Sequence, residues 1–197
     1  SRTLHINYRT SHQIRMQADK LLAPEIADVD GNSEDRRGTI SVFNGPQPII
    51  KTYNSPEEEI EGVGAWLNDI RADGVQPQEI GIFVRSEDQI ERAKEAATKA
   101  GLPFKVLDEN IDISSGSASI STMHLAKGLE FRTVVVMAVD DEVIPLQARI
   151  RQVVDDADLA EIYETERHLL YVACTRARDH LLVTSGDLPS EFLEDLL

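Results

Sequence analysis

Residues 166–178 read Glu-Arg-His-Leu-Leu-Tyr-Val-Ala-Cys-Thr-Arg-Ala-Arg. Taken as a helix, this stretch gathers Leu169, Leu170, Val172 and Ala173 into an apolar stripe, and Arg176 and Arg178 stand in its last turn, where the helix dipole favours cations. Two guanidinium groups in that position can reach an anion. An apolar, β-rich run follows at His180 to Thr184, and the same alternation extends back through the chain. Further strands are expected at Thr39 to Phe43, Pro48 to Tyr53, Ile80 to Val84, Phe104 to Leu107, Ser119 to Thr122 and Thr133 to Val139. Helices are expected at Ser11 to Leu22, Pro56 to Ala72, Ser86 to Ala100 and Leu159 to Ala177, with an N-cap serine opening the first and Gly101 closing the third. Strands alternating with helices imply an α/β fold, a doubly wound and mostly parallel sheet.

With 197 residues the chain fits one domain spanning 1–197, long enough to bury a core without staples. Cys174 is the only cysteine, which excludes an intrachain disulfide and a cysteine-cluster zinc site and suits a reducing, cytoplasmic compartment. His5, His12, His168 and His180 have no metal-ligand spacing. No apolar run reaches the length of a membrane span, and the residues from Ser1 onward lack the regions of a signal peptide. The expectation is a monomer with no membrane partner.

The net charge is −15, from 20 Lys and Arg against 35 Asp and Glu, where a nucleic-acid protein would ordinarily show a basic footprint. Much of the acid clusters in Glu57 to Glu61, Asp108 to Asp112 and Asp155 to Glu166, whereas Arg9, Lys127, Arg132, Arg167, Arg176 and Arg178 lie outside those runs. A local basic groove on an acidic body fits that distribution, although composition alone favours a protein that does not bind nucleic acid. Pro24 to Arg37 and Ser114 to Ser119 have the composition of flexible segments.

Three strings carry more than composition. Residues 166–178 closely resemble the sixth motif of superfamily 1 helicases of the UvrD/Rep type. Residues 120–131, Ile-Ser-Thr-Met-His-Leu-Ala-Lys-Gly-Leu-Glu-Phe, are similar to that family's fifth motif, T-x-H-x-A-K-G-L-E-F, with every signature residue present. Residues 4–9, Leu-His-Ile-Asn-Tyr-Arg, followed by Thr10, resemble the fourth, L-x-x-N-Y-R-S. Three matches in the family's order leave little room for coincidence. A softer match runs from Ile82-Phe83-Val84-Arg85-Ser86-Glu87 to Gly101-Leu102-Pro103-Phe104, with Glu87 where the family usually has a DNA-contacting Asn. The larger members carry an accessory domain just before the fifth motif; here only a short linker near 108–118 is available.

The resemblance implies a second RecA-like motor domain, of P-loop NTPase type but without its own P-loop, from an ATP-dependent DNA helicase. By the same resemblance Arg176 is an arginine finger, Arg9 a second γ-phosphate contact, Tyr8 an adenine-stacking ring and Glu130 a ribose ligand. Thr122 and His124 become contacts to single-stranded DNA, Arg85 a phosphate ligand, and Gly128 a place of close backbone approach. These assignments fit the chemistry, since arginine forks around phosphate oxygens and a tyrosine ring stacks on any base. The sixth motif departs from the family at Thr165-Glu166-Arg167-His168, where Glu-Glu-Arg-Arg is usual.

Phosphoryl transfer needs a phosphate cradle, a Mg²⁺ ligand, a water-activating carboxylate and cations for the developing charge. The chain contains no G-x-x-x-x-G-K-[ST], and Lys127-Gly128 has the wrong order for that loop. ATP with Mg²⁺ is therefore expected to be held mainly by an N-terminal RecA-like domain of a longer chain, and these 197 residues to be inactive alone. The start at the fourth motif, with Ser1 in place of Met, is read as excision from that chain. The run Val134 to Glu142 could be taken for a Mg²⁺-binding strand end, but it follows the fifth motif, where the family has a structural strand and an acidic loop reaching Pro145. Two other readings stand beside the motor: a non-catalytic nucleic-acid or protein-docking module, and the motor part of a helicase-nuclease. Cys174 reads as a core thiol.

Overall fold

Beside Gly81 the ring of Phe131 comes so close that a Cβ would lie 2.6 Å from it, so only glycine lets the two central strands meet there. Those strands are β4 (Ile80–Val84) and β7 (Phe131–Val136) in a computed structural model that describes residues 5–7, 9–22, 39–41, 43–112 and 116–197. Around them lie β3 (Ile49–Thr52), β5 (Phe104–Val106), β6 (Ala118–Thr122) and β8 (Ala177–Ser185). The sheet order is β3-β8-β7-β4-β6-β5, and every neighbouring pair is parallel. A separate two-stranded parallel sheet joins β1 (His5–Asn7) to β2 (Thr39–Ser41).

Alternation along the strands divides the core in two. Phe83, Val134, Val136, Leu181 and Val183 face α1 (His12–Asp19), α5 (Asp156–Cys174) and α6 (Glu191–Leu196). Ile80, Ile82, Val84, Val135 and Leu182 face α2 (Pro56–Ala72) and α3 (Ile90–Lys99). A short α4 (Gln147–Ile150) precedes α5. All five residues of β4 are buried, as a parallel strand covered on both faces requires. The doubly wound parallel sheet expected from the sequence is the architecture found.

Side-chain caps fix the helix starts. Ser55 accepts from the Glu58 amide at 3.1 Å ahead of Pro56, and Asp155 accepts from the Asp158 amide at 2.9 Å. The helix of the sixth motif begins and ends earlier than its apolar pattern suggests. Thr175 closes it, its hydroxyl donating back to the Tyr171 carbonyl at 2.9 Å, and β8 has begun by Ala177. Arg178 thus belongs to a strand, paired with Asp179 at 3.0 Å, and does not stand in a helical turn. Three further differences are local. Glu87–Gln89 form a 3₁₀ turn before α3; β7 stops at Val136, with Ala138 at φ 57°; and α4, α6 and β1 have no counterpart among the elements expected from the sequence. The segment Pro24 to Arg37 lies outside the described residues.

Cys174 is fully buried against the α5 side of the core, where burial pushes its thiol up to about 12. Ellman's reagent is therefore expected to find no reactive thiol in the native protein and to react fully once denaturant is added. Rapid native labelling would contradict this packing.

Candidate functional site

Hydrogen bonds to backbone carbonyls draw the three motifs together at the amino ends of the strands β7 and β8. Thr10 donates its hydroxyl to the Thr175 carbonyl at 3.1 Å, the Ser11 amide donates to Arg178 at 2.9 Å, and the Phe131 amide donates to Arg176 at 2.9 Å. The residue after the fourth motif, the end of the fifth and the turn of the sixth become one structure. Its surface holds a cleft lined by Arg9, Thr10, Arg15, Leu129, Glu130, Tyr171, Thr175 and Arg176.

Within it the Arg176 guanidinium is steered by its own helix end. Nε donates to the Val172 carbonyl at 3.0 Å and Nη2 to the Thr175 hydroxyl at 3.3 Å. Such bonds satisfy carbonyls that the last turn of a helix leaves open, and they fix an otherwise mobile side chain. Burial, and then the like charge of Arg9, lower the Arg176 pKa, partly offset by Tyr171 and Glu130. Two cations crowded in one cleft with a carboxylate at its rim suit a polyanion that also carries hydroxyl groups. Arg9, Glu130 and Arg176 are thus brought together as the motifs imply. Tyr8 lies outside the described residues.

Tyr171 and Thr175 complete the cleft and were not picked out from the sequence. Their spacing offers the signal, since residues four apart share one helix face and that face leads to Arg176.

At the opposite, carboxyl edge, β4 and β6 pair with Val84 beside Thr122, which brings Arg85 next to the segment after β6. Thr122 ends β6 half-buried, and His124 lies exposed in the 3₁₀ turn Met123–Leu125. Arg85 departs from the expectation of a phosphate ligand. It is only 2% exposed, and its fork is closed on Glu166, with Nε to Oε2 at 2.7 Å and Nη2 to Oε1 at 3.0 Å. Its Nη1 lies 3.1 Å from Nε2 of His124. An arginine already held by a buried carboxylate acts on its neighbours and does not meet solvent phosphates. Burial and then Arg85 lower the His124 pKa, while Glu166 raises it and Arg149 lowers it.

Residues 123–130 cross between the two edges. Met123, Ala126 and Leu129 anchor the crossing in the core, and Gly128 turns it at φ 83°. A Cβ on Gly128 would meet no atom of this chain within 4 Å, so within the chain the glycine serves the left-handed turn. Asp140, in the run that could be mistaken for a Mg²⁺ site, has its carboxylate engaged by Arg92 at 2.8 Å and by the Gly186 amide at 2.9 Å.

Residues 107–187, which hold the fifth and sixth motif strings, match the family model of the UvrD-like helicase C-terminal domain. Over 88 residues the chain is 35% identical to the ATP-dependent DNA helicase PcrA of Bacillus subtilis, a region that is 44% of this chain and 11% of that protein. Over 90 residues it is 36% identical to DNA helicase II of Rickettsia typhi, covering 46% of this chain and 12% of that one. The matched stretch thus spans only about a ninth to an eighth of the length of these curated relatives. The crystal structure of the C-terminal domain of a possible DNA helicase from Lactobacillus plantarum superposes with a TM-score of 0.67 at 20% identity, covering 97% of this chain and 94% of that one. At that identity the likeness concerns the fold alone.

Proposed function

We propose that this chain is the second motor domain of an ATP-dependent DNA helicase or translocase, working with a P-loop domain on the same polypeptide. One observation carries the reading: residues 123–130 run from Thr122 and His124 at one edge of the sheet to Glu130 at the other, in the cleft that holds Arg9 and Arg176. A strand of DNA at the first edge and a nucleotide at the second would bear on a single short segment. The partner domain would supply the phosphate loop and the Mg²⁺ ligands. This chain's part is to bring Arg9 and Arg176 against the terminal phosphate as the domains close, to hold the ribose at Glu130, and to release on opening. Charge assistance from preorganised guanidinium groups is the chemistry such a cleft offers.

A docking module with a retired site has no need of two arginines and a carboxylate gathered in one cleft, and the placement of Arg9, Glu130 and Arg176 together favours the motor over that alternative. The motor part of a helicase-nuclease would present the same cleft.

Single-stranded DNA should bind this chain alone weakly, with affinity falling steeply as salt rises, because half of the track lies on the partner domain and the body carries −15. Replacing Thr122 and His124 together by alanine should weaken the remaining affinity alike for every base sequence, since backbone contacts position a strand without reading it. Titrations of labelled oligonucleotides of several sequences test this. Loss confined to one sequence would mean base contacts and would contradict the proposal.

A further inference from the structure

We propose that Glu166 is a positioning residue: acting through Arg85, it holds the His124 ring with Nε2 turned inward as an acceptor, so that the imidazole carries its proton on Nδ1. A guanidinium has five N–H groups and no acceptor. Wherever Arg85 Nη1 meets His124 Nε2, at 3.1 Å, the ring nitrogen must therefore present its lone pair. A neutral imidazole has one N–H, and with Nε2 unprotonated that hydrogen sits on Nδ1. His124 is exposed, which makes Nδ1–H the donor it has left for a ligand at this edge.

What keeps Arg85 in place is Glu166, fully buried in the sixth motif's helix. Both of its oxygens take the Arg85 fork, and Oε1 also accepts from the Leu146 amide at 2.7 Å. A buried ion pair adds little net stability over an apolar pair of similar volume, because desolvation offsets the attraction. Its geometric effect here is specific. The pair spends two N–H groups of Arg85 on the carboxylate and aims a third at His124, which links the α5 helix and the loop before it to the carboxyl edge of β6. The charged groups bearing on the ring are Arg85, Glu166 and Arg149. The assignment deepens the DNA-contact reading of His124 by naming which ring atom would meet the phosphate, although the tautomer itself does not depend on that reading.

Long-range ¹H–¹⁵N correlation of the imidazoles in the uniformly ¹⁵N-labelled chain at neutral pH tests the proposal, with the His124 signals identified by their loss in His124→Gln. The expected spectrum shows a protonated Nδ1 and an unprotonated Nε2. A ring protonated on Nε2, or on both nitrogens, would overturn the assignment. The double variant Arg85→Met with Glu166→Leu removes both charges together and so avoids stranding either in the core. In it the Nδ1–H preference should be lost, and persistence of that preference would overturn the role of Arg85. Arg85→Lys should fail to restore the tautomer, because a single ammonium cannot fork on Glu166 and reach His124 as well. Single-stranded DNA affinity should fall about tenfold or more in the double variant, the scale of one charge-assisted hydrogen bond. If the tautomer changes while DNA affinity does not, the positioning role stands and the DNA-contact reading of His124 is what fails.

Discussion

Arg176→Ala, in the full-length protein with its P-loop domain, is expected to lower DNA-stimulated ATP turnover by about a thousandfold or more, the scale of losing an arginine finger. Its melting temperature should stay close to that of the parent. Both halves of this expectation follow from the cleft. Arg176 donates to the Val172 carbonyl and the Thr175 hydroxyl at a helix end, groups that water can serve in its absence, and it sits against the like charge of Arg9. Losing it removes repulsion along with two bonds, so the fold should barely register the change. The transition state would lose a cation that no neighbour can replace, since Arg9 leaves from a different segment. Steady-state hydrolysis and thermal melting of the same preparation check the two halves together. Near-normal turnover in a well-folded variant would reduce Arg176 to a helix-end cation.

Arg92→Ala is expected to destabilise the native state by about 3–5 kcal/mol, the range for breaking a buried ion pair from one side. Arg92 donates to Glu59 at 2.6 Å and to Asp140 at 2.8 Å, with its own side chain 12% exposed and that of Glu59 fully buried. Glu59 also takes the Ala138 amide at 3.1 Å, and Asp140 takes Gly186, so one guanidinium joins α2 and α3 to the chain leaving β7 and β8. Burial raises the Glu59 pKa against the pull of Arg92, and without Arg92 that carboxylate would be stranded. Urea unfolding monitored by circular dichroism measures the loss. The exposed Lys99 with Glu61 is the control, since Lys99→Ala should leave the transition unmoved. An equally small effect of Arg92→Ala would mean that the network is decoration.

Much of the fold could be read from local chemistry. Ile80 to Val84 is a run of apolar residues with no polar alternate save Gly81, and it is a central strand covered on both sides. Pro56 to Ala72 was legible from its helical pattern with Pro56 in the first turn, and the structure adds the Ser55 cap ahead of it. The end of α5 was not. Tyr-Val-Ala-Cys-Thr-Arg-Ala contains no glycine or proline, and the helix stops because Thr175 turns onto Tyr171 while the Arg176 carbonyl is claimed by Phe131 from another strand. The pairing of β1 with β2 likewise rests on contacts between segments too short to announce themselves.

The candidate site divides in the same way. Arg9, Glu130 and Arg176 were nameable because their motif strings are intact, and the structure brings them to one cleft. Arg85, read as a phosphate ligand, is instead closed on a buried carboxylate, and an arginine following a strand looks the same in sequence whether it meets a ligand or a buried acid. Glu166, its partner, lies in the distant sixth motif, and only the packing of α5 against the sheet brings the two within 2.7 Å.

The central claim is that this chain supplies cations to a nucleotide whose phosphate cradle lies on another domain. The most direct measurement is ATP hydrolysis by the purified 197-residue chain with Mg²⁺ and saturating single-stranded DNA, run beside the full-length protein. The account predicts no turnover above the blank from the chain and DNA-stimulated turnover from the full-length protein. DNA-stimulated hydrolysis by the chain alone, abolished by Arg176→Ala, would contradict it.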